Sequence, residues 1–83
     1  MLVRYFGAAQ AAAGVPEERL ELDGAALVEV LAEIRGLHPD GDPSMARVLE
    51  RSSFLLNEVA LRDRSGSIGR DDVLDILPPF AGG

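Results

Sequence analysis

The sequence predicts an α+β domain: a mixed sheet of about five strands, with one main helix packed on one face and a short second helix. Two observations carry that expectation. The most apolar strand-like runs stand near the two ends, Leu2-Val3-Arg4-Tyr5-Phe6 and Val73-Leu74-Asp75-Ile76-Leu77. Between them lies one strong amphipathic helix pattern, with further short strand signals on either side of it. At 83 residues the chain has room for a single small domain with a modest core.

The first run is rich in β-branched and aromatic residues. Period two puts Val3 and Tyr5 on one face and Leu2, Arg4 and Phe6 on the other. Gly7 ends it. Ala8 to Ala13 is nearly all alanine, the best helix former, and reads as a helical turn or two stopped by Gly14. Glu17 to Leu22 alternates Leu20 and Leu22 with charged residues, the pattern of a half-buried strand that can pair antiparallel with the first. Asp23 is the expected N-cap of the main helix, whose stripe is Leu27, Val30, Leu31 and Ile34. Gly36 and Pro39 are its stop signals, and His38 near its end suits the helix dipole better than a catalytic role.

Pro39 to Pro43 is a loop. Asp40 and Asp42 within it lack the further oxygen ligands of a calcium loop and read as a solvated turn. Ser44 can cap a short helix on which Met45, Val48 and Leu49 share a face. Phe54-Leu55-Leu56 and Val59-Ala60-Leu61 are short strands joined at Asn57-Glu58, where Asn tolerates left-handed backbone and Glu fits it less well. Arg62 to Ser67 is polar, and Ile68 is its one apolar anchor before the last strand. The first and last strands, being the most apolar, are expected to pair in parallel at the centre of the sheet.

Residues 1–77 thus form the body, and 78–83 form an extended arm, Pro78-Pro79-Phe80-Ala81-Gly82-Gly83. The prolines carry no N–H and stop the strand. Six extended residues reach roughly 20 Å. Phe80 offers one large apolar group, and the arm then thins to two residues without side chains. Gly-Gly is costly to order, which makes sense if a narrow channel must admit bare backbone. The carboxylate of Gly83 is the candidate reactive group, with Pro78, Pro79, Phe80, Ala81 and Gly82 as the partner-binding arm.

Composition excludes much else. Without Cys there is no disulfide or thiolate metal site, and a single His makes a multi-histidine metal site impossible. All eight basic residues are Arg, so no side-chain amine can form a Schiff base. The net charge of −6 argues against nucleic acid and favours partners with a basic face. No apolar run reaches membrane-spanning length and no signal-peptide pattern opens the chain, so a cytoplasmic location without membrane contact is expected. So little side-chain chemistry points away from an enzyme acting alone.

The chain resembles the small-subunit family of molybdopterin synthase (MoaD), within the ubiquitin-like β-grasp sulfur carriers. Val3-Arg4-Tyr5-Phe6, Gly14, Leu55-Leu56-Asn57 and above all Asp72 to Gly83 carry the likeness. The chain departs from the family pattern at Gln10-Ala11, where an Arg-Glu pair is common, and at Glu58, where Gly is common. It departs again at Arg70-Asp71-Asp72, where Asp-Gly-Asp is favoured; Asp71 can still occupy a left-handed turn there, at some cost. The resemblance implies a β-grasp fold and no bound cofactor. It implies that a ubiquitin-activating-like adenylating enzyme (MoeB) uses ATP to convert Gly83 to an acyl-adenylate, which sulfur turns into a thiocarboxylate. It further implies that the arm enters the large synthase subunit (MoaE), in a heterotetramer that builds the dithiolene of molybdopterin. A sulfur carrier for thiazole synthesis or tRNA thiolation, or a protein modifier joined through Gly83, shares the same fold and terminus.

Overall fold

The computed structural model describes residues 1–79. The elements are β1 (Leu2–Tyr5), α1 (Ala8–Ala13), β2 (Glu17–Arg19), α2 (Leu27–Leu37), α3 (Met45–Arg51), β3 (Ser53–Leu56), β4 (Val59–Ala60) and β5 (Val73–Leu77). The strands form one sheet in the order β2-β1-β5-β3-β4. β1 and β5 pair in parallel, with Arg4 opposite Asp75 and Tyr5 opposite Ile76. The other neighbours are antiparallel. This is the ubiquitin-like β-grasp arrangement, with the two most apolar strands adjacent and internal as expected.

Alternation decides which side is covered. Val3 and Tyr5 of β1, Phe54 of β3, and Leu74 and Ile76 of β5 point to one face and are buried there. Against them lie Leu27, Val30 and Ile34 of α2, and Met45, Val48 and Leu49 of α3. Leu31, the fourth member of the expected stripe, is only partly buried at the edge of this core. Each large aliphatic side chain so covered contributes roughly 1.5–3 kcal/mol. The alanine run is a full helix, with Ala9 and Ala12 buried and Gly14 taking the left-handed cap (φ 77°). Ala12 has a second use: a Cβ at Gly41 would collide with its carbonyl, so the 39–43 loop lies directly on α1.

Several local expectations are corrected. The main helix is capped at Ala26, not Asp23. Gly24 and Ala25 are spent on a bridge to Ile68 before the helix can begin. The Asp23 carboxylate instead accepts from the Arg70 N–H at 3.0 Å. Gly36 does not stop α2, which runs on to Leu37 with His38 as its C-cap. Ser44 stands at the N-cap of α3 but its side chain makes no capping bond. β2 covers Glu17–Arg19 rather than reaching Leu22, because its pairing with β1 uses only Leu2 to Arg4. Phe6 falls just outside β1, and Leu61 just outside β4.

Asn57 and Glu58 are the non-glycine residues with positive φ among those described, at 51° and 69°. Both central residues of the β3–β4 hairpin are therefore left-handed, as a two-residue turn matched to sheet twist demands. Asp71 does not take the left-handed turn open to it. The turn before β5 closes differently, with Asp72 N–H donating to the Gly69 carbonyl (3.1 Å) and Gly69 N–H to Asp72 Oδ2 (2.7 Å). Asn57 couples hairpin and turn: its amide donates to Asp72 Oδ1 (3.0 Å), and its carbonyl accepts from Val73 N–H (2.9 Å).

Two measurements check this region. Glu58→Gly should stabilise the domain by about 0.5–1 kcal/mol, since glycine removes the left-handed penalty. Thermal unfolding would show the midpoint rising by a few degrees, and a fall would contradict the strain. The second concerns acid. Asn57 first, and then the Gly69 amide, hold the Asp72 pKa below its ordinary value. A depressed folded-state pKa stabilises above the unfolded value and is lost as pH falls through the folded one. Denaturant titrations from about pH 5 down to about pH 2 should therefore show a shallower acid decline for Asp72→Asn than for the unaltered chain.

Candidate functional site: the root of the C-terminal arm

β5 is held on both sides along its length, by β1 in parallel and by β3 antiparallel. Its last residue, Leu77, pairs with Ser53, and Phe6 N–H donates to the Ile76 carbonyl at 3.3 Å. The chain then leaves the sheet through Pro78, half-buried, and Pro79, exposed. Neither proline can donate to a ladder, so the strand ends where the prolines begin. The other four candidate residues, Phe80, Ala81, Gly82 and the reactive Gly83, lie outside the described residues.

The face of the sheet away from the helices has a graded surface. A row crosses all five strands as Glu17, Arg4, Asp75, Leu55 and Ala60. At its centre Arg4 grips Asp75 with two parallel bonds, Nε to Oδ1 at 2.5 Å and Nη2 to Oδ2 at 2.8 Å. The Asp75 side chain is 5% exposed and that of Arg4 33%, so the carboxylate is buried beneath its partner. The bond from Asp75 raises the already high pKa of Arg4. Leu2, Leu55, Val73 and Leu77 are half-buried around this pair. Phe6, one step past the Tyr5–Ile76 pair, is 41% exposed beside the root of the arm. Leu2 and Phe6 thus belong to this open face and not to the core.

A second polar cluster lies on the covered side. Tyr5 Oη donates to Glu18 Oε2, and His38 Nε2 meets the same oxygen, both at 2.5 Å. The Tyr5 and His38 rings stand edge to face, 5.9 Å apart. Burial, and then the Glu18 hydrogen bond, push the Tyr5 pKa up, so the phenol stays neutral and donates. His38 therefore ties the end of α2 to the edge strand β2, a local structural role as expected, though its partner is Glu18.

Sequence reasoning missed both polar pairings. The Arg4–Asp75 pair had a signal: opposite charges stand mid-strand in two apolar runs expected to pair in parallel. The Glu18 cluster had none, because its three members are distant in sequence and their meeting depends on where α2 ends. Among the described residues there is no group of three or more His, Cys, Asp or Glu side chains arranged to hold a metal, and no helix long and apolar enough to cross a membrane.

Comparison with known proteins extends this picture. The solved structure of SAMP1 from Haloferax volcanii superposes with a TM-score of 0.80 at 23% identity, covering 99% of this chain and 97% of that one. A putative molybdopterin converting factor subunit 1 from Pyrococcus furiosus gives 0.74 at 22% identity, covering 95% of each chain. A protein–protein complex of subunits 1 and 2 of the molybdopterin-converting factor from Helicobacter pylori gives 0.61 at 21%, covering 99% and 96%. At these identities the likeness is one of fold. No curated protein matches the sequence significantly. The profile of the ThiS family, however, matches residues 3–83, nearly the whole length and through the terminal glycines. The chain belongs to the ThiS family of ubiquitin-like sulfur carriers.

Proposed function

We propose that this chain carries sulfur as a thiocarboxylate on Gly83 and serves as the small subunit of a molybdopterin synthase. The observation that carries the reading is the mounting of the arm. The internal strand β5 leads straight into Pro78 and Pro79, and the family match runs on to Gly83. The arm's Phe80 and the presence of α3 favour the molybdopterin branch over thiazole or tRNA thiolation. The fold likeness to subunit 1 of molybdopterin converting factors agrees with that choice.

The chemistry follows from the terminus. A free α-carboxylate, with a pKa of roughly 3.3–3.7, is ionised at neutral pH and a poor electrophile. In the proposed sequence its oxygen attacks the α-phosphorus of ATP on an adenylating enzyme of the ubiquitin-activating class, and pyrophosphate leaves. Hydrosulfide then attacks the Gly83 carbonyl carbon; a C–S bond forms, AMP leaves with the electrons of the broken C–O bond, and the S–H proton passes to solvent. The resulting thiocarboxylate is delivered by the arm into the large synthase subunit, which supplies the catalytic groups. Prolines 78 and 79 reduce the entropy lost on docking, a cost of about 1–2 kcal/mol per freely rotating residue. Phe80 anchors the arm in an apolar pocket, as buried aromatic residues do at interface centres. The active synthase is then a heterotetramer of two small and two large subunits in the cytoplasm.

Intact mass spectrometry after incubation with ATP, the adenylating enzyme and a sulfur source tests the reading. Exchange of one terminal oxygen for sulfur is expected. An isopeptide-linked product instead would favour a protein modifier, the reading that the likeness to SAMP1, a small archaeal modifier protein, keeps in view. Gly82→Ala and deletion of Gly83 should leave the thermal midpoint unchanged and abolish sulfur delivery to a pterin precursor; undiminished transfer by either would remove the arm from the mechanism. The root has its own check. Arg4→Met strands the buried Asp75 carboxylate and should lower the thermal midpoint by several degrees, whereas Arg4→Met with Asp75→Leu should recover most of that loss.

A further inference from the structure

An activated acyl group is indiscriminate toward good nucleophiles. An acyl-adenylate at Gly83 reacts with any amine or thiol it meets: the nitrogen lone pair attacks the carbonyl carbon, a C–N bond forms, AMP leaves and the amine proton passes to solvent. Even a lysine with an ordinary pKa near 10.4 keeps roughly one amine in a thousand neutral and reactive at pH 7 to 8. A carrier held near its own kind is therefore at risk of acylating itself.

This chain presents few such groups, and the reasons are independent of one another. It has no Cys, and its eight basic residues are all Arg, whose guanidinium stays protonated and offers no free lone pair. The ammonium of Met1 donates to the Leu20 carbonyl at 2.8 Å, and Met1 is 1% exposed. The single Tyr and the single His each engage Glu18 through one polar atom, Tyr5 Oη and His38 Nε2, with Tyr5 1% exposed and the His38 side chain 16%. Serine hydroxyls remain, but they are weak nucleophiles at their free pKa. The positive charge of the chain is kept and put to structural use, as in the Arg4–Asp75 pair and in Arg64, which lies 5.4 Å from the Phe54 ring centroid. Its nucleophilicity is absent.

We infer that the surface of this chain is built to offer no amine or thiol acceptor to its own activated end, so that the Gly83 acyl group passes only to a nucleophile brought by another molecule. The inference rests on the Gly83 acyl chemistry proposed above. It makes the chain a donor that forms neither self-linked chains nor closed rings. On a sulfur carrier this protects the loaded terminus until sulfur arrives; on a modifier it restricts the product to a single copy at each target amine.

The test needs no adenylating enzyme, so its outcome is separate from that of the sulfur-loading experiment. The full chain is prepared as a Gly83 thioester by intein cleavage and held concentrated in mildly alkaline buffer. Alongside it stands Arg35→Lys/Arg47→Lys, which restores two amines at exposed helical sites without changing charge. Free lysine added to a third sample shows that the thioester reacts with amines. Intact mass and denaturing gels should show hydrolysis alone for the unaltered chain, and at least about tenfold more self-linked product for the lysine variant. Self-linked product from the unaltered chain at the variant's level, or its mapping to Met1, Tyr5 or His38, would overturn the inference. So would an absence of linkage in both samples while free lysine reacts, because excluding lysine would then protect nothing.

Discussion

The parallel pairing of β1 with β5 is the constraint on which the rest of the structure depends. It joins residues more than seventy positions apart, and loop-closure entropy must be met before any of its contacts is formed. Everything between the two strands has to fit that closure: one antiparallel partner outside β1, a helix crossing the covered face, and a hairpin that brings β3 against the other side of β5. The apolar side chains of Val3, Tyr5, Leu74 and Ile76 drive the pairing, while the Arg4–Asp75 bonds fix its register. A slip of one residue would turn Asp75 toward the helices and Leu74 toward solvent.

The function proposed above needs its arm firmly rooted. β5 is held by a neighbour on each side, so Pro78 leaves the sheet from a fixed point. The polar links around the strand serve the same end. Asn57 and Asp72 settle where β5 starts, Arg4 holds its middle, and the paired prolines determine where it stops. Stability and presentation of the terminus are consequently one problem, solved by the same residues.

How much of this was legible in the sequence depends on the range of the interactions involved. Period-two and helical patterns are local, and they located every strand and helix, including the parallel neighbours at the centre. The alanine run gave its helix, and the Gly-free turn at Asn57-Glu58 gave a strained hairpin whose sign could be foreseen. What failed were assignments made from one residue type where a tertiary contact competed. Asp23 has the chemistry of an N-cap, yet the Ala25–Ile68 bridge delays the helix and hands its carboxylate to Arg70. Gly36 is a weak helix former, yet Ile34 and its neighbours bury enough surface to carry α2 past it. For the site, the arm is an expectation from composition and spacing whose last four residues lie outside those described, and the Gly83 chemistry comes from resemblance. The sequestering of Tyr5 and His38 by Glu18 could not be read without coordinates.

The two outermost strands are very short, three residues in β2 and two in β4. Strands of that length expose too few free backbone groups to template a long ladder with a neighbouring chain. Sheet extension onto a second copy or onto another chain is thereby disfavoured at both edges. In the carrier role proposed above, recognition then falls to side chains on the open face and to the tail, and each encounter ends once its chemistry is done.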